Sequence, residues 1–207
     1  MADNEEAAKG LAKKLSEFLE GAFEHIALSR RRYFEAKPGA RRSKDAVEQI
    51  IASYANQNAM VAGTMSLVPG PFGLLTIAPE LTLVLRNQIQ MIYDLGVAHG
   101  KESQLNSRLL LGIFASAMGG GAIGLVAASG GKVVVKRASL RVIQKVIVML
   151  GGKITQRVLK QLLTRYVPVA GALAMAFWAR RTTSELGREA SRLLEGELVV
   201  ETGEGDG

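Results

Sequence analysis

Residues 119–124 come closest to a chemical motif in this chain, because their glycines fit the GxGxxG pattern of dinucleotide-binding folds. In such folds the glycines let the backbone approach a pyrophosphate at the start of a helix, and a later carboxylate binds the ribose. Here only seven residues separate Gly124 from Lys132, too few for that helix, and no Asp or Glu follows within sixty residues. The sequence therefore does not predict a nucleotide site.

Other residue types that could carry catalysis or hold a metal are sparse. The two histidines, His25 and His99, lie far apart and have no serine or cysteine partner pattern, and the lack of cysteine removes thiolate ligands and disulfides. Glu80 and Asp94 share one face of a predicted helix, but their spacing separates them by about 21 Å. That distance is too long for paired carboxylate catalysis. We expect a non-enzymatic protein without a cofactor or metal.

Charge is distributed very unevenly along the chain. Residues 103–184 contain twelve Lys and Arg but no Asp or Glu, whereas residues 185–207 carry seven acids and two bases. Residues 1–102 are neutral, with twelve of each. A long cationic and apolar segment is what a bilayer with anionic head groups attracts.

The basic residues of this segment recur at helical spacing between Val and Ile. We predict basic amphipathic helices over residues 132–150 and 154–165, separated by glycines 151 and 152, although residues 133–135 are strand-like in composition. Such helices can lie in the head-group layer, where each cation contributes about 1 kcal/mol with anionic lipid. The predicted membrane- or partner-binding residues are Lys132, Lys136, Arg137, Arg141, Lys145, Lys153, Arg157 and Lys160.

The same basic face allows other interpretations. It could be an ordinary solvated surface, although such surfaces usually mix both signs of charge. It could also belong to a soluble helical interaction module that binds a protein partner or nucleic acid. The basic helices lack interleaved aromatic residues for stacking on bases, and no helix-turn-helix or zinc pattern occurs. Nucleic acid is therefore the less favoured partner.

A run of 23 uncharged residues, 109–131, carries a small residue at every fourth position. On a helix this spacing forms one smooth stripe, like a glycine zipper, against which another backbone can pack closely and which could also serve a homo-oligomer. Two alternatives stay open: a buried helix inside a soluble bundle, or one arm of a membrane hairpin with residues 59–78 as the other. The predicted helix-packing residues are Gly112, Ser116, Gly120, Gly124 and Ala128.

The elements that would position these residues are predicted to be helical, because only 5% of the chain is aromatic and its apolar residues are mostly small or aliphatic. Apolar residues recur at three- and four-residue spacing in the N-terminal segment. Further helices are predicted on both sides of a Pro/Gly-rich turn at residues 69–73, with Gly100 as a stop signal. The predicted ranges are 5–34, 43–68, 74–97 and 168–194.

Together these elements predict an all-α, single-domain bundle of about seven helices, with Gly/Pro-centred turns and a Gly-rich central apolar helix. Residues 1–36 would form an N-terminal amphipathic helix and residues 43–195 the helical domain. Residues 196–207 are acidic and Gly-bearing, so we expect a disordered tail.

Short motifs in both halves of the chain support a family resemblance. Residues 68–71 read VPGP, 78–81 APEL, 88–95 QIQMIYDL, 167–172 VPVAGA and 185–190 ELGREA. In this order they resemble the EcsC-like family and the related membrane domain found beside bacterial GTPases. The resemblance implies an all-helical, membrane-linked bacterial protein, in some cases encoded with a secretion-linked ABC transporter, and no active site. The matching motif positions are Pro69, Gly70, Pro71, Glu80, Gln88, Tyr93, Gly100, Pro168 and Gly171.

The acidic N-terminus lacks the basic start and apolar core of a secretory signal peptide. We therefore expect a cytoplasmic protein that is peripheral to, or inserted as a hairpin in, the inner membrane. Its expected function is that of a non-enzymatic membrane-associated or accessory protein. The expected partner is an anionic membrane surface or a membrane protein.

Overall fold

A computed structural model of the chain describes residues 2–65, 72–119, 126–129, 132–135, 139–162 and 168–200. Within these residues the protein is an all-α, single-domain helical bundle, as predicted, with one small three-stranded sheet. The six α-helices of the described ranges are α1 (Ala2–Ala36), α2 (Val47–Met65), α3 (Phe72–Ala98), α4 (Ser107–Ala117), α5 (Leu140–Leu162) and α6 (Pro168–Glu195). The strands are β1 (Val126–Ser129), β2 (Lys132–Val135) and β3 (Glu197–Val200).

Helix α1 forms where the apolar spacing predicts it. Its residues Leu15, Leu19, Phe23 and Ile26 recur every three or four positions and are almost fully buried. This stripe packs against α3, α4 and α5, and Phe23 meets Phe114 of α4 edge to face at a centroid distance of 5.7 Å. Burying a large apolar side chain of this kind stabilises a fold by about 1.5–3 kcal/mol. The stripe therefore anchors α1 to the rest of the bundle.

Helices α2, α3 and α6 form the centre of the bundle, and α2 runs antiparallel to α6. Small residues permit their close approach. A Cβ added to Gly187 of α6 would lie 2.9 Å from Ile51 of α2, and one added to Gly63 would lie 3.4 Å from Ala176. Any larger side chain at Gly187 must therefore displace a neighbour.

The signals that bound α3 act largely as predicted. Pro79 lies within the helix, and Gly100 follows its end with φ of 72°. A positive φ is readily adopted only by glycine, which explains why the helix stops there. The turn predicted at residues 69–73 begins outside the described residues.

The predicted Gly-rich central helix is wrong in its extent. Helix α4 ends at Ala117, a turn follows through Gly119 with φ of 78°, and β1 occupies part of the predicted helical run. A glycine within a helix costs about 1 kcal/mol relative to alanine, so the glycine triplet disfavours continuation. Gly112 and Ser116 share α4, Ala128 lies on β1, and Gly120 and Gly124 fall outside the described residues.

These positions therefore do not form one stripe on one helix. Among the described residues, no helix combines the length and apolarity needed to cross a bilayer.

The small sheet corrects two further predictions. Residues Lys132–Val135 form β2, pairing antiparallel with β1 and parallel with β3, in the register Val133 opposite Leu198. The predicted helix therefore does not begin at residue 132, because the valines, which favour strands, find partners on both sides. Residues Glu197–Val200 supply one of those partners, so this part of the predicted disordered tail is a strand.

A fourth correction concerns glycines 151 and 152, where two basic helices were predicted to separate. Helix α5 runs through both. A Cβ added to Gly151 would lie 2.5 Å from Ser16 Oγ and 3.0 Å from the carbonyl oxygen of Ala12, both on α1. This glycine therefore serves a close contact between two helices and does not end one.

Candidate functional site

The predicted basic face is present on α5. Arg141 and Lys145 are both exposed, and neither forms an ion pair within the part of the chain that the structure describes. Val148, one helical turn beyond Lys145, is 61% exposed, and Leu140, the first residue of the helix, is 71% exposed. The opposite side of the helix is buried in the main core: Val146, Ile147, Leu150 and Ile154. Helix α5 is therefore amphipathic, with cations and isolated apolar side chains facing outward.

The other predicted basic residues do not join this outward face in a single pattern. Lys132 lies on β2, 3.9 Å from a carboxylate oxygen of Glu197 on β3, and Lys153 donates to the carbonyl oxygen of Gly119 at 3.4 Å. Arg157 and Lys160 belong to α5, but their side chains are not among those that the structure describes. Lys136 and Arg137 lie outside the described residues.

The described residues of the family-like motifs have structural positions. Glu80, Gln88 and Tyr93 are buried on α3, and Gly100 ends that helix. Pro168 and Gly171 lie in the first turn of α6. Pro69, Gly70 and Pro71 fall outside the described residues.

A buried polar network joins the three central helices around Gln88. The amide nitrogen of Asn58 donates to Thr183 Oγ1 at 2.9 Å and to the carbonyl oxygen of Val84 at 3.3 Å. Gln88 Nε2 donates to the same hydroxyl at 3.2 Å, and Asn87 donates to Asn58 Oδ1 at 2.8 Å. Because buried polar groups are costly unless they are hydrogen-bonded, this network fixes the register of α2, α3 and α6.

A second polar cluster joins α1, α2 and α3. Arg30 donates to both carboxylate oxygens of Asp94, from Nε at 2.8 Å and from Nη2 at 2.6 Å. Tyr54 donates its hydroxyl to Asp94 Oδ2 at 2.8 Å. The Arg30 guanidinium also lies over the rings of Tyr33 and Phe34, at 4.4 and 4.9 Å from their centroids. Five side chains from three helices therefore hold one another in place.

Burial governs proton binding in this cluster. Desolvation raises the pKa of Asp94 above its ordinary value, although Arg30 and Tyr54 both favour the carboxylate form. Burial and the adjacent carboxylate likewise raise the pKa of Tyr54, so its hydroxyl keeps its proton and remains a hydrogen-bond donor.

A cavity of about 440 Å³ opens beside this cluster, between α1, α2, α3 and the 3₁₀ turn Pro38–Ala40. Its lining includes Arg30, Asp94 and Arg42. Because Arg30 and Asp94 neutralise each other, Arg42 supplies the uncompensated charge of the lining. Sequence patterns do not indicate this cavity, since Asp94 lies 64 positions from Arg30 and only helix packing brings the two together.

A smaller cavity of about 220 Å³ lies between α3, α5, α6 and the end of α4. Leu81, Leu85, Ile154 and Trp178 give it a largely apolar wall, with Gln88 among its polar groups. The lining also includes Glu185, whose exposed carboxylate accepts from Arg181 Nε at 2.8 Å, and Thr182, whose hydroxyl donates to the carbonyl oxygen of Trp178.

The histidine and serine that sequence spacing left unconnected do meet in the structure. His99 Nε2 lies 2.9 Å from Ser191 Oγ, although the two residues are 92 positions apart. Ser191 is buried, and neither residue lines the two cavities described above. Burial, then Lys44, lowers the pKa of His99. The pair therefore joins the end of α3 to α6.

Among the described residues, no group of three or more His, Asp or Glu side chains is arranged to hold a metal ion. Comparison of the chain with protein-family models, with curated proteins and with solved structures finds no match.

Proposed function

We propose that this chain is a non-enzymatic, membrane-associated accessory protein that binds an anionic bilayer through the outward face of α5. The observation that carries the proposal is the mixture of side chains on that face. Arg141 and Lys145 are exposed without an ion-pair partner among the described residues, and the exposed Val148 lies one helical turn beyond Lys145. An ordinary solvated helix face would instead mix cations with acids.

Two physical effects act together on such a face. Each cation near an anionic surface contributes about 1 kcal/mol. The apolar side chains can enter the boundary between head groups and acyl chains while the helix lies parallel to the membrane. The proposal therefore concerns peripheral binding, in which α5 keeps its buried side packed against α1.

The charge distribution in the sequence favours the same surface. Residues 103–184, which include all of α5, contain twelve basic residues and no acid. A negatively charged surface that approaches α5 therefore meets no acidic side chain on that helix. The resemblance to the EcsC-like family, whose members are linked to bacterial membranes, adds to this argument and suggests the inner membrane as the location.

Vesicle flotation tests the proposal with the wild-type protein. We expect it to float with vesicles that contain an anionic phospholipid and not with neutral vesicles. Binding should weaken as salt is added, because the Debye length falls from about 30 Å at 0.01 M to about 8 Å at 0.15 M. If the protein floated with neither kind of vesicle, lipid binding would be refuted, and a soluble partner of acidic surface would become the leading alternative.

A further inference from the structure

We infer that the cavity between α1, α2 and α3 binds a small ligand that carries a phosphate monoester group. The inference rests on Arg42, on the fixed ion pair of Arg30 with Asp94, and on the polar groups that α2 presents to the same space. It is independent of the proposed membrane function, because the cavity lies on other helices than the α5 face.

The size of the cavity suits such a ligand. Its volume is about 440 Å³, within the range of about 300–1,000 Å³ that is usual for small-molecule sites. Its walls come from three packed helices and the turn Pro38–Ala40, so much of the shape is set before a ligand arrives.

The charges of the lining favour an anion over a cation. Asp94 is the acid of the lining, and both of its oxygens already accept hydrogen bonds from Arg30, with a further bond from Tyr54. Arg42 is exposed and forms no hydrogen bond or ion pair with the described residues. The neighbouring Arg41 differs, because it donates to both carboxylate oxygens of Glu102, from Nε at 2.8 Å and from Nη2 at 2.9 Å. Arg42 therefore has donors available for a ligand.

Phosphate chemistry fits the donors that remain. A guanidinium offers a fork of N–H groups that matches two phosphate oxygens. On α2, Gln57 Nε2 donates to Ser53 Oγ at 3.3 Å, which leaves the Ser53 hydroxyl free to donate its own proton to a third oxygen. A phosphate monoester supplies three acceptor oxygens and up to two negative charges for this set.

The binding test uses glycerol phosphate and the full chain in calorimetric titration. We expect saturable binding by the wild type, weakened at least about tenfold in Arg42→Gln, because a charge-assisted hydrogen bond is lost. The matched control is Arg32→Gln, an exposed arginine of α1 that does not line the cavity. Its affinity should stay within about twofold of the wild type. Circular dichroism confirms that both variants fold.

A second arm distinguishes a free ligand from a lipid head group. Vesicles containing phosphatidic acid, a monoester, are compared with vesicles of equal charge containing phosphatidylglycerol, a diester. A preference for phosphatidic acid that Arg42→Gln removes would identify a lipid head group as the ligand. Binding of glycerol phosphate without that preference would identify a soluble one.

Absence of saturable glycerol phosphate binding, together with no phosphatidic acid preference, would overturn the inference. Equal affinities for Arg42→Gln and the wild type would overturn it as well. The double variant Arg141→Glu, Lys145→Glu should still bind glycerol phosphate, which separates failure of this site from failure of the α5 surface.

Discussion

Arg30 on α1 and Asp94 on α3 lie 64 positions apart and form a two-point ion pair, with its shorter contact at 2.6 Å. Their side chains are only 16% and 14% exposed. Tyr54 donates to the same carboxylate, so the pair couples the long N-terminal helix to the centre of the bundle. Both residues also line the cavity beside Arg42, so the pair contributes to the shape of that cavity.

Replacing Asp94 with Asn should destabilise the protein by about 2–4 kcal/mol, because it leaves a largely buried guanidinium without its carboxylate. Urea unfolding measures this loss. The matched control is Glu102→Gln, which breaks an equally well-aligned but more exposed pair with Arg41 and should lower the unfolding free energy by clearly less than Asp94→Asn. Equal losses for the two variants would contradict the structural role given to the Arg30–Asp94 pair.

The two adjacent glycines of α5 should respond in opposite directions to alanine. Gly151→Ala should cost about 1–3 kcal/mol, since the new methyl group would press on Ser16 and on the Ala12 carbonyl oxygen of α1. Gly152→Ala should stabilise by up to about 1 kcal/mol, since a Cβ there meets no atom within 4 Å and alanine favours a helix. Thermal unfolding of both variants checks the sign, and destabilisation by both would argue against this packing of α5 on α1.

Thr183→Val should destabilise by about 1–3 kcal/mol, because it removes the acceptor that Asn58 and Gln88 share in the core. Thr182→Val is the matched control. Among the residues that the structure describes, the Thr182 hydroxyl bonds only to backbone carbonyl oxygens of its own helix, at Trp178 and Ala179. Thr182→Val should therefore lower the unfolding free energy, measured by chemical denaturation, by less than Thr183→Val does. If Thr182→Val were the more destabilising variant, the network could not be what holds α2, α3 and α6 in register.

Stability should fall as the pH drops below about 6.5, because burial keeps the pKa of His99 below that ordinary value. In that window the unfolded chain binds a proton that the folded chain resists, so the free energy of unfolding decreases. His99→Gln should shrink the difference between unfolding free energies measured at pH about 7.5 and about 5.5. The control Ser191→Ala keeps the imidazole, so it should retain the difference between the unfolding free energies at the two pH values. If His99→Gln left that difference unchanged, the pH dependence would have to come from other groups.

Local patterns predicted most helices of this fold, since α1, α2, α3 and α6 bury faces whose spacing is visible in the sequence. The errors lie between residues 117 and 152 and at residues 197–200. There the strand β2 depends on pairing with β3, and Gly151 depends on contact with α1, so both require partners that are remote in sequence. Valine composition indicates a strand at 133–135, but the helical spacing of the flanking residues outweighs it when the partner strands are not known.

The candidate sites were less predictable than the helices. The exposure of Arg141 and Lys145 follows from amphipathic spacing on a single helix, so the sequence could predict it. The pairing of Arg30 with Asp94 and of His99 with Ser191 could not be predicted, because no local rule connects residues 64 or 92 positions apart. Helix packing alone brings these groups together, and with them the cavity beside Arg42.

Flotation of the double variant Arg141→Glu, Lys145→Glu with anionic vesicles tests the central claim most directly. Losing two surface cations should weaken vesicle binding at least about thirtyfold, at about 1 kcal/mol each. The control variant Arg32→Glu, Arg86→Glu makes the same change in net charge at exposed positions on α1 and α3, and it should float like the wild type. Equal flotation of the two double variants would contradict a specific role for the α5 face.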